Sequence, residues 1–194
     1  MRLRDADALI VLDVQRDFLP GGSLAVRDSI SVVPVLNRYI HRFTRAELLV
    51  IASRDWHPPD HCSFEAQGGP WPPHCVRDTP GAEFAPGLVL PDDVVIVSKA
   101  THSDADAYSA FDGTKLAVLL RAQSVRRLFV GGLATDYCVL ATVTDGLDTG
   151  FEVVLLRDAV RAVGIEPGDE AKALDQMRAA GVTFIDLAAF DAAD

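Results

Sequence analysis

Six short apolar runs, separated by stretches of helical spacing, constrain this chain more than any other feature. They are residues 8–13 (ALIVLD), 48–52 (LLVIA), 94–97 (VVIV), 128–130 (LFV), 153–156 (VVLL) and 182–185 (VTFI). They lack strict polar alternation, so each reads as a strand buried on both faces. Between them, residues 32–43, 114–123, 135–147 and 169–180 carry apolar positions at helical intervals. Ser29 or Ser31 is the candidate cap of the first helix, and Pro34 is tolerable in its first turn. Gly150 and Gly181 are placed to end the third and fourth. Strands alternating with helices predict an α/β fold: a three-layer α/β/α arrangement around a mainly parallel, doubly wound sheet. At 194 residues the chain suits one domain over 1–194. The small, acidic tail at 186–194 is expected to be poorly ordered.

One segment breaks this rhythm. Residues 56–91 hold Pro58, Pro59, Pro70, Pro72, Pro73, Pro80, Pro86 and Pro91, together with Gly68, Gly69, Gly81 and Gly87. That density of turn formers excludes regular structure, and a loop this long inside a compact domain is usually functional. It reads as an insertion over about residues 55–91.

Composition narrows the partners. Apolar residues at 49% and charged residues at 24% are the balance of a folded globular protein. With 18 Lys and Arg against 28 Asp and Glu the formal charge is −10, which disfavours nucleic acid or an anionic membrane as partner. No apolar run approaches the length of a membrane span, and MRLRD at the start has no signal-peptide character. Three cysteines, Cys62, Cys75 and Cys138, make no disulfide framework and fit a reducing cytoplasm. No phosphate-binding GxxxxGK[ST] loop is present, which disfavours phosphoryl transfer.

Open parallel sheets bind ligands outside the carboxyl ends of their strands. Asp13 ends the first run, Asp55 follows the second, Lys99 follows the third, and Cys138 opens the helix after the fourth. These distant residues therefore converge on one rim. A thiol needs a base or a positive field to become a nucleophile. Asp13 is placed to take the thiol proton, Lys99 to hold the carboxylate, and the helix start to favour thiolate. Glycines 131 and 132 before Cys138 let backbone N–H groups face the site, as an oxyanion hole requires. Taken singly, each has an ordinary reading: a core cysteine, a solvated lysine, an aspartate in a turn. Their shared rim is what raises them.

The loop carries a second cluster. Asp55 and His57 stand at i and i+2 on an extended chain, His61 follows, and His74 comes from further along. An Asp with two or three His suits Zn²⁺, Fe²⁺ or Mn²⁺. A structural zinc site using Cys62 and Cys75 beside His61 and His74 is the rival, although its spacing lacks a CxxC pattern. His41 receives no role, and His102 is at most a rim residue.

Several motifs together carry a family resemblance: DVQRDFLPGGSLAV at 13–26, RDWHPPDH at 54–61, WPPHC at 71–75, TPGAEF at 79–84 and GGLATDYCV at 131–139. The chain resembles the nicotinamidase/pyrazinamidase branch of the isochorismatase-like cysteine hydrolases over nearly its whole length. The nucleophile segment marks the superfamily, whereas Asp-x-His with Trp-Pro-Pro-His marks the metal-bearing branch. The resemblance implies a catalytic triad of Asp13, Lys99 and Cys138, and an oxyanion hole from the Ala134 and Cys138 N–H groups beside a cis Leu133–Ala134 peptide. It implies one divalent metal on Asp55, His57 and His74, with His61 matching a further histidine of some members. Phe18, Trp71, Gln15, Leu133 and Tyr137 match positions around the substrate pocket, where Phe18 and Trp71 also read as ordinary core. Ala100 departs from the pattern, since many members have glycine there. The implied activity is hydrolysis of nicotinamide to the acid and ammonia in NAD salvage, with no organic cofactor; acceptance of pyrazinamide stays open. A homo-oligomer stays open. The alternatives are a sister amidohydrolase acting on carbamoyl or ureido groups, and a non-catalytic ligand-binding module.

Overall fold

A computed structural model describes residues 1–191 of the chain. Its centre is a sheet of six strands, β1 (Asp7–Leu12), β2 (Leu49–Asp55), β3 (Val95–Lys99), β4 (Arg127–Leu133), β5 (Glu152–Arg161) and β6 (Thr183–Ile185). The order is β3-β2-β1-β4-β5-β6 and every pairing is parallel. All six apolar runs are strands. β5 extends five residues past its apolar run, and β4 continues through the two glycines expected to close it.

The helices are α1 (Val32–Arg45), α2 (Leu116–Ala122), α3 (Leu140–Asp148), α4 (Asp169–Ala179) and α5 (Leu187–Asp191). Alternation along β1 splits the core. Leu9 and Val11 face α1, whose stripe Val32, Leu36, Tyr39, Ile40 and Phe43 is buried. Ala8, Ile10 and Leu12 face the opposite layer with Leu116 and Leu120 of α2, Val143 of α3 and Met177 of α4. The three-layer expectation thus holds. The Ser31 hydroxyl does not cap α1; it donates to the Asp28 carbonyl. The acidic tail is also more ordered than its composition suggests. Leu187 and Phe190, three residues apart, bury themselves through α5, and Phe190 packs on Tyr39 at 5.3 Å between ring centroids. Residues 192–194 of the tail lie outside the described part. Among the described residues no helix is long and apolar enough to cross a membrane.

Gly132 shows how β4 and β1 come together. Its φ is +128°, and a Cβ there would sit 2.0 Å from the Leu12 carbonyl oxygen. Only glycine permits that approach. Gly132→Ala is therefore expected to destabilise the fold by more than about 3 kcal/mol, read as a lower denaturant midpoint at unchanged slope. An unchanged midpoint would show that the two strands have room to separate.

Candidate active site

The strand order reverses between β1 and β4, so the crevice beyond their carboxyl ends is where such a sheet binds ligands. Asp13 follows β1 directly, and its backbone takes the left-handed conformation at φ +48°. Asp55 and Lys99 are the last residues of β2 and β3 and stand opposite one another in register. Cys138 lies after β4, in a π-helical turn over Thr135–Val139 that precedes α3. The Val139 N–H there reaches back to the Ala134 carbonyl at 3.0 Å. Turns of this kind recur at functional sites. The Leu133–Ala134 peptide is cis.

The predicted rim residues meet. Lys99 Nζ lies 3.1 Å from Asp13 Oδ2 and 3.4 Å from Cys138 Sγ. It also donates to Asp55 Oδ1 at 2.5 Å and to the Ala107 carbonyl at 3.2 Å. All four side chains are buried. Two carboxylates and one ammonium already leave this cluster one charge negative, so a resting thiolate would have to form against that charge. Burial, then Asp13 and Asp55, accordingly hold the Cys138 thiol well above its ordinary value despite Lys99. The helix start expected to favour thiolate is outweighed, and the thiol needs a base. Burial and the Asp55 charge also raise Asp13, against Lys99 and Ser53, which makes it the better proton acceptor. For Asp55, burial alone would raise the carboxyl, but Lys99, His57 and His74 together bring it below the usual range. Lys99 stays charged, because Asp13, Asp55 and Cys138 outweigh its burial. Ala100, next along, has φ +50°, the left-handed region where glycine costs least. The alanine there carries a penalty of about 1 kcal/mol.

The long loop folds over this rim. Asp55, His57 and His74 are buried, and one donor atom from each lies within 4.8 Å of the others. The chemistry of the set fits a divalent cation. Nδ1 of His57 meets the His74 carbonyl at 2.9 Å, and Nδ1 of His74 meets the Pro72 carbonyl at 2.8 Å. A carbonyl cannot donate, so both Nδ1 atoms carry a proton, and the nitrogen that a neutral ring offers a cation is Nε2. Burial first, with the neighbouring imidazoles, lowers His57 to about 4, so it is neutral as a ligand must be. His61 sits beside His57, ring centroids 4.3 Å apart, but does not join the set. Its Nε2 faces the Ala105 carbonyl at 3.2 Å and its Nδ1 the Ser63 hydroxyl at 2.7 Å, so both nitrogens are engaged. The rival set with Cys62 and Cys75 does not assemble among the described residues; both thiols are free.

Phe18, Trp71, Ala134 and Tyr137 line a narrow cavity with Asp55, His74 and Cys138. Gln15 and Leu133 do not. Leu133 is in the core, and Gln15 is fully buried beneath the site. The Gln15 amide donates to the Asp55 carbonyl and accepts from the Asp55 N–H, both at 2.8 Å, and so fixes the backbone of Asp55. The cavity also holds Leu24, Tyr108 and Val163, which sequence reasoning missed. Tyr108 comes from an irregular segment without periodicity, where nothing but a fold could place it; its hydroxyl accepts from Trp71 Nε1 at 3.0 Å. His41 and His102 are exposed, and neither lines the cavity.

A parallel sheet, a buried acid, ammonium and thiol at its switch point, and a histidine-rich loop define a cysteine hydrolase of the isochorismatase type. The Isochorismatase domain model matches residues 7–189, and the chain belongs to that family. The nicotinamidase of Escherichia coli (strain K12) is 40% identical over 202 residues, covering 93% of this chain and 95% of that protein. The crystal structure of the pyrazinamidase of Pyrococcus horikoshii in complex with zinc superposes with a TM-score of 0.90 at 50% identity, covering 94% of this chain and 99% of that one. That of PnC1 from L. infantum in complex with nicotinate gives 0.88 at 36% identity, covering 97% of each chain.

Proposed function

We propose that this protein is a nicotinamidase, hydrolysing nicotinamide to nicotinate and ammonia through a thioester on Cys138. The observation that carries this reading is the contact of Lys99 with both Asp13 and Cys138, beside the Asp55, His57 and His74 donors. The relatives named nicotinamidase and pyrazinamidase support it over almost the full length of each chain.

Asp55, His57 and His74 would hold one divalent cation, with zinc, iron and manganese all suited to the donor set. Bound there, the cation supplies a positive anchor that orients the substrate ring. The protein's own residues do the rest. Phe18 and Trp71 line the cavity that would take the ring. Asp13 takes the proton from the Cys138 thiol as sulfur attacks the carboxamide carbon. The Ala134 and Cys138 N–H groups face the oxygen as its charge develops. Asp13 then returns the proton to the amide nitrogen, the C–N bond breaks, and ammonia leaves. Water attacks the thioester carbon, giving one proton to Asp13; the C–S bond breaks, Asp13 passes that proton to the sulfur, and the acid product ionises to nicotinate as it leaves. Lys99 remains an ammonium throughout and fixes both Asp13 and the sulfur. The free cysteines suit a reducing cytoplasm.

The test is ammonia release from a panel of nicotinamide, pyrazinamide and ureido or carbamoyl compounds, with and without chelator. Nicotinamide and pyrazinamide are expected to turn over and the others not. Turnover confined to ureido or carbamoyl compounds, or none at all, would overturn the reading.

A further inference from the structure

We infer that Ser53 is a positioning residue that gives the two oxygens of Asp13 different tasks. Ser53 follows the apolar run of β2, one residue past Ala52, the last to pair with β1, where Ala52 meets Val11. It is fully buried. Its hydroxyl lies 2.6 Å from Asp13 Oδ1, and its backbone carbonyl accepts the Asp13 N–H at 3.2 Å. A carboxylate has no proton to give, so Ser53 donates. Left alone, an Asp side chain has a broad, two-fold rotation about its last bond, and its oxygens exchange freely. The Ser53 bond removes that symmetry. Oδ1 is occupied by the Ser53 hydroxyl, while Oδ2 accepts no such hydrogen bond and has the Lys99 ammonium beside it at 3.1 Å.

Oδ2 is therefore the oxygen that receives the thiol proton. The S–H bond breaks, an O–H bond forms at Oδ2, and the sulfur electron pair makes the bond to carbon. Ser53 donates to Oδ1 before and after, so no other hydrogen bond has to break during the transfer. Ser53 itself touches no reacting atom. This inference rests on the reading above, in which Asp13 is the base for Cys138.

The experiment compares the full-length protein with Ser53→Ala and Ser53→Thr after loading with Zn²⁺. It measures kcat and KM for nicotinamide, zinc content, and the rate at which iodoacetamide alkylates Cys138, located by peptide mass spectrometry. For S53A, kcat is expected to fall about 10- to 100-fold, the effect of losing a hydrogen bond to a buried charge. KM is expected to stay within about twofold, alkylation of Cys138 to slow with kcat, and zinc content to hold. S53T, which keeps the hydroxyl, is expected within about threefold of the parent. An S53A kcat equal to the parent's would overturn the inference. So would an S53T as slow as S53A, or a loss of kcat accompanied by loss of zinc and a matching rise in KM, which would make Ser53 a structural residue only. A parent without nicotinamidase activity would sink the functional reading instead. The alkylation rate still decides on Ser53 in that case: slowing in S53A supports its role, and no change ends it.

Discussion

Replacing Cys138 with alanine is expected to reduce ammonia release from nicotinamide by about 10⁴-fold or more, because the nucleophile of a covalent route has no substitute in the site. The cluster around it makes the effect severe. Asp13 and Lys99 are buried against one another at 3.1 Å, and neither supplies a nucleophile that could replace the sulfur. Binding should survive. The cavity walls Phe18, Trp71 and Tyr137 and the donor set at Asp55, His57 and His74 are untouched by the change. Calorimetric titration of C138A with nicotinamide is expected to give an affinity within about threefold of the parent's substrate affinity. Mass spectrometry of the parent quenched during turnover should find an acyl group on Cys138. Ammonia release by C138A at anything near the parent rate would refute the thioester.

His57→Ala and His74→Ala carry the second large effect. Each removes one of three donors, while the backbone carbonyls of His74 and Pro72 that hold the His57 and His74 rings stay in place in either variant, so the loss is that of the ligand itself. Outer-shell partners alone are worth about 10- to 100-fold in metal affinity, and loss of a direct ligand should exceed that. Elemental analysis is expected to fall from about one metal per chain to nearly none, with KM for nicotinamide rising at least about 100-fold. His61→Ala is the internal control. With both of its nitrogens already engaged by protein groups, it should keep its metal. Full metal content in the His57 or His74 variants would remove the cation from the site proposed here. Loss of metal in H61A equal to theirs would restore His61 as a ligand.

The candidate site was legible in the sequence to the extent that strand ends are legible. Asp13, Asp55 and Lys99 each sit where an apolar run stops, and a parallel sheet gathers such positions on one edge. Cys138 follows the same logic one turn later. The histidine loop was visible as an interruption, because so many prolines and glycines cannot join a sheet or a helix. Ser53 could have been found by the same means, as a hydroxyl standing directly after the apolar run of β2 and two residues before Asp55. Gln15 was legible as a residue near the site but not as a support beneath it. Sequence distance carries no information about which side of a backbone an amide binds.

Apolar patterning decided the architecture: runs buried on both faces must lie in a parallel sheet with helices on either side, since nothing else covers both faces. Residue chemistry pointed to the class of reaction, because an acid, an ammonium and a thiol gathered on one edge can activate a sulfur nucleophile, and the surrounding motifs carried the family resemblance. The tertiary structure alone shows the burial and charges that raise the Cys138 thiol, the engagement of both His61 nitrogens by Ser63 and Ala105, and the walls of the cavity. Those depend on distances of a few ångströms in a medium without water, where a neighbouring charge or carbonyl changes what a side chain can do. Spacing along a chain does not encode them.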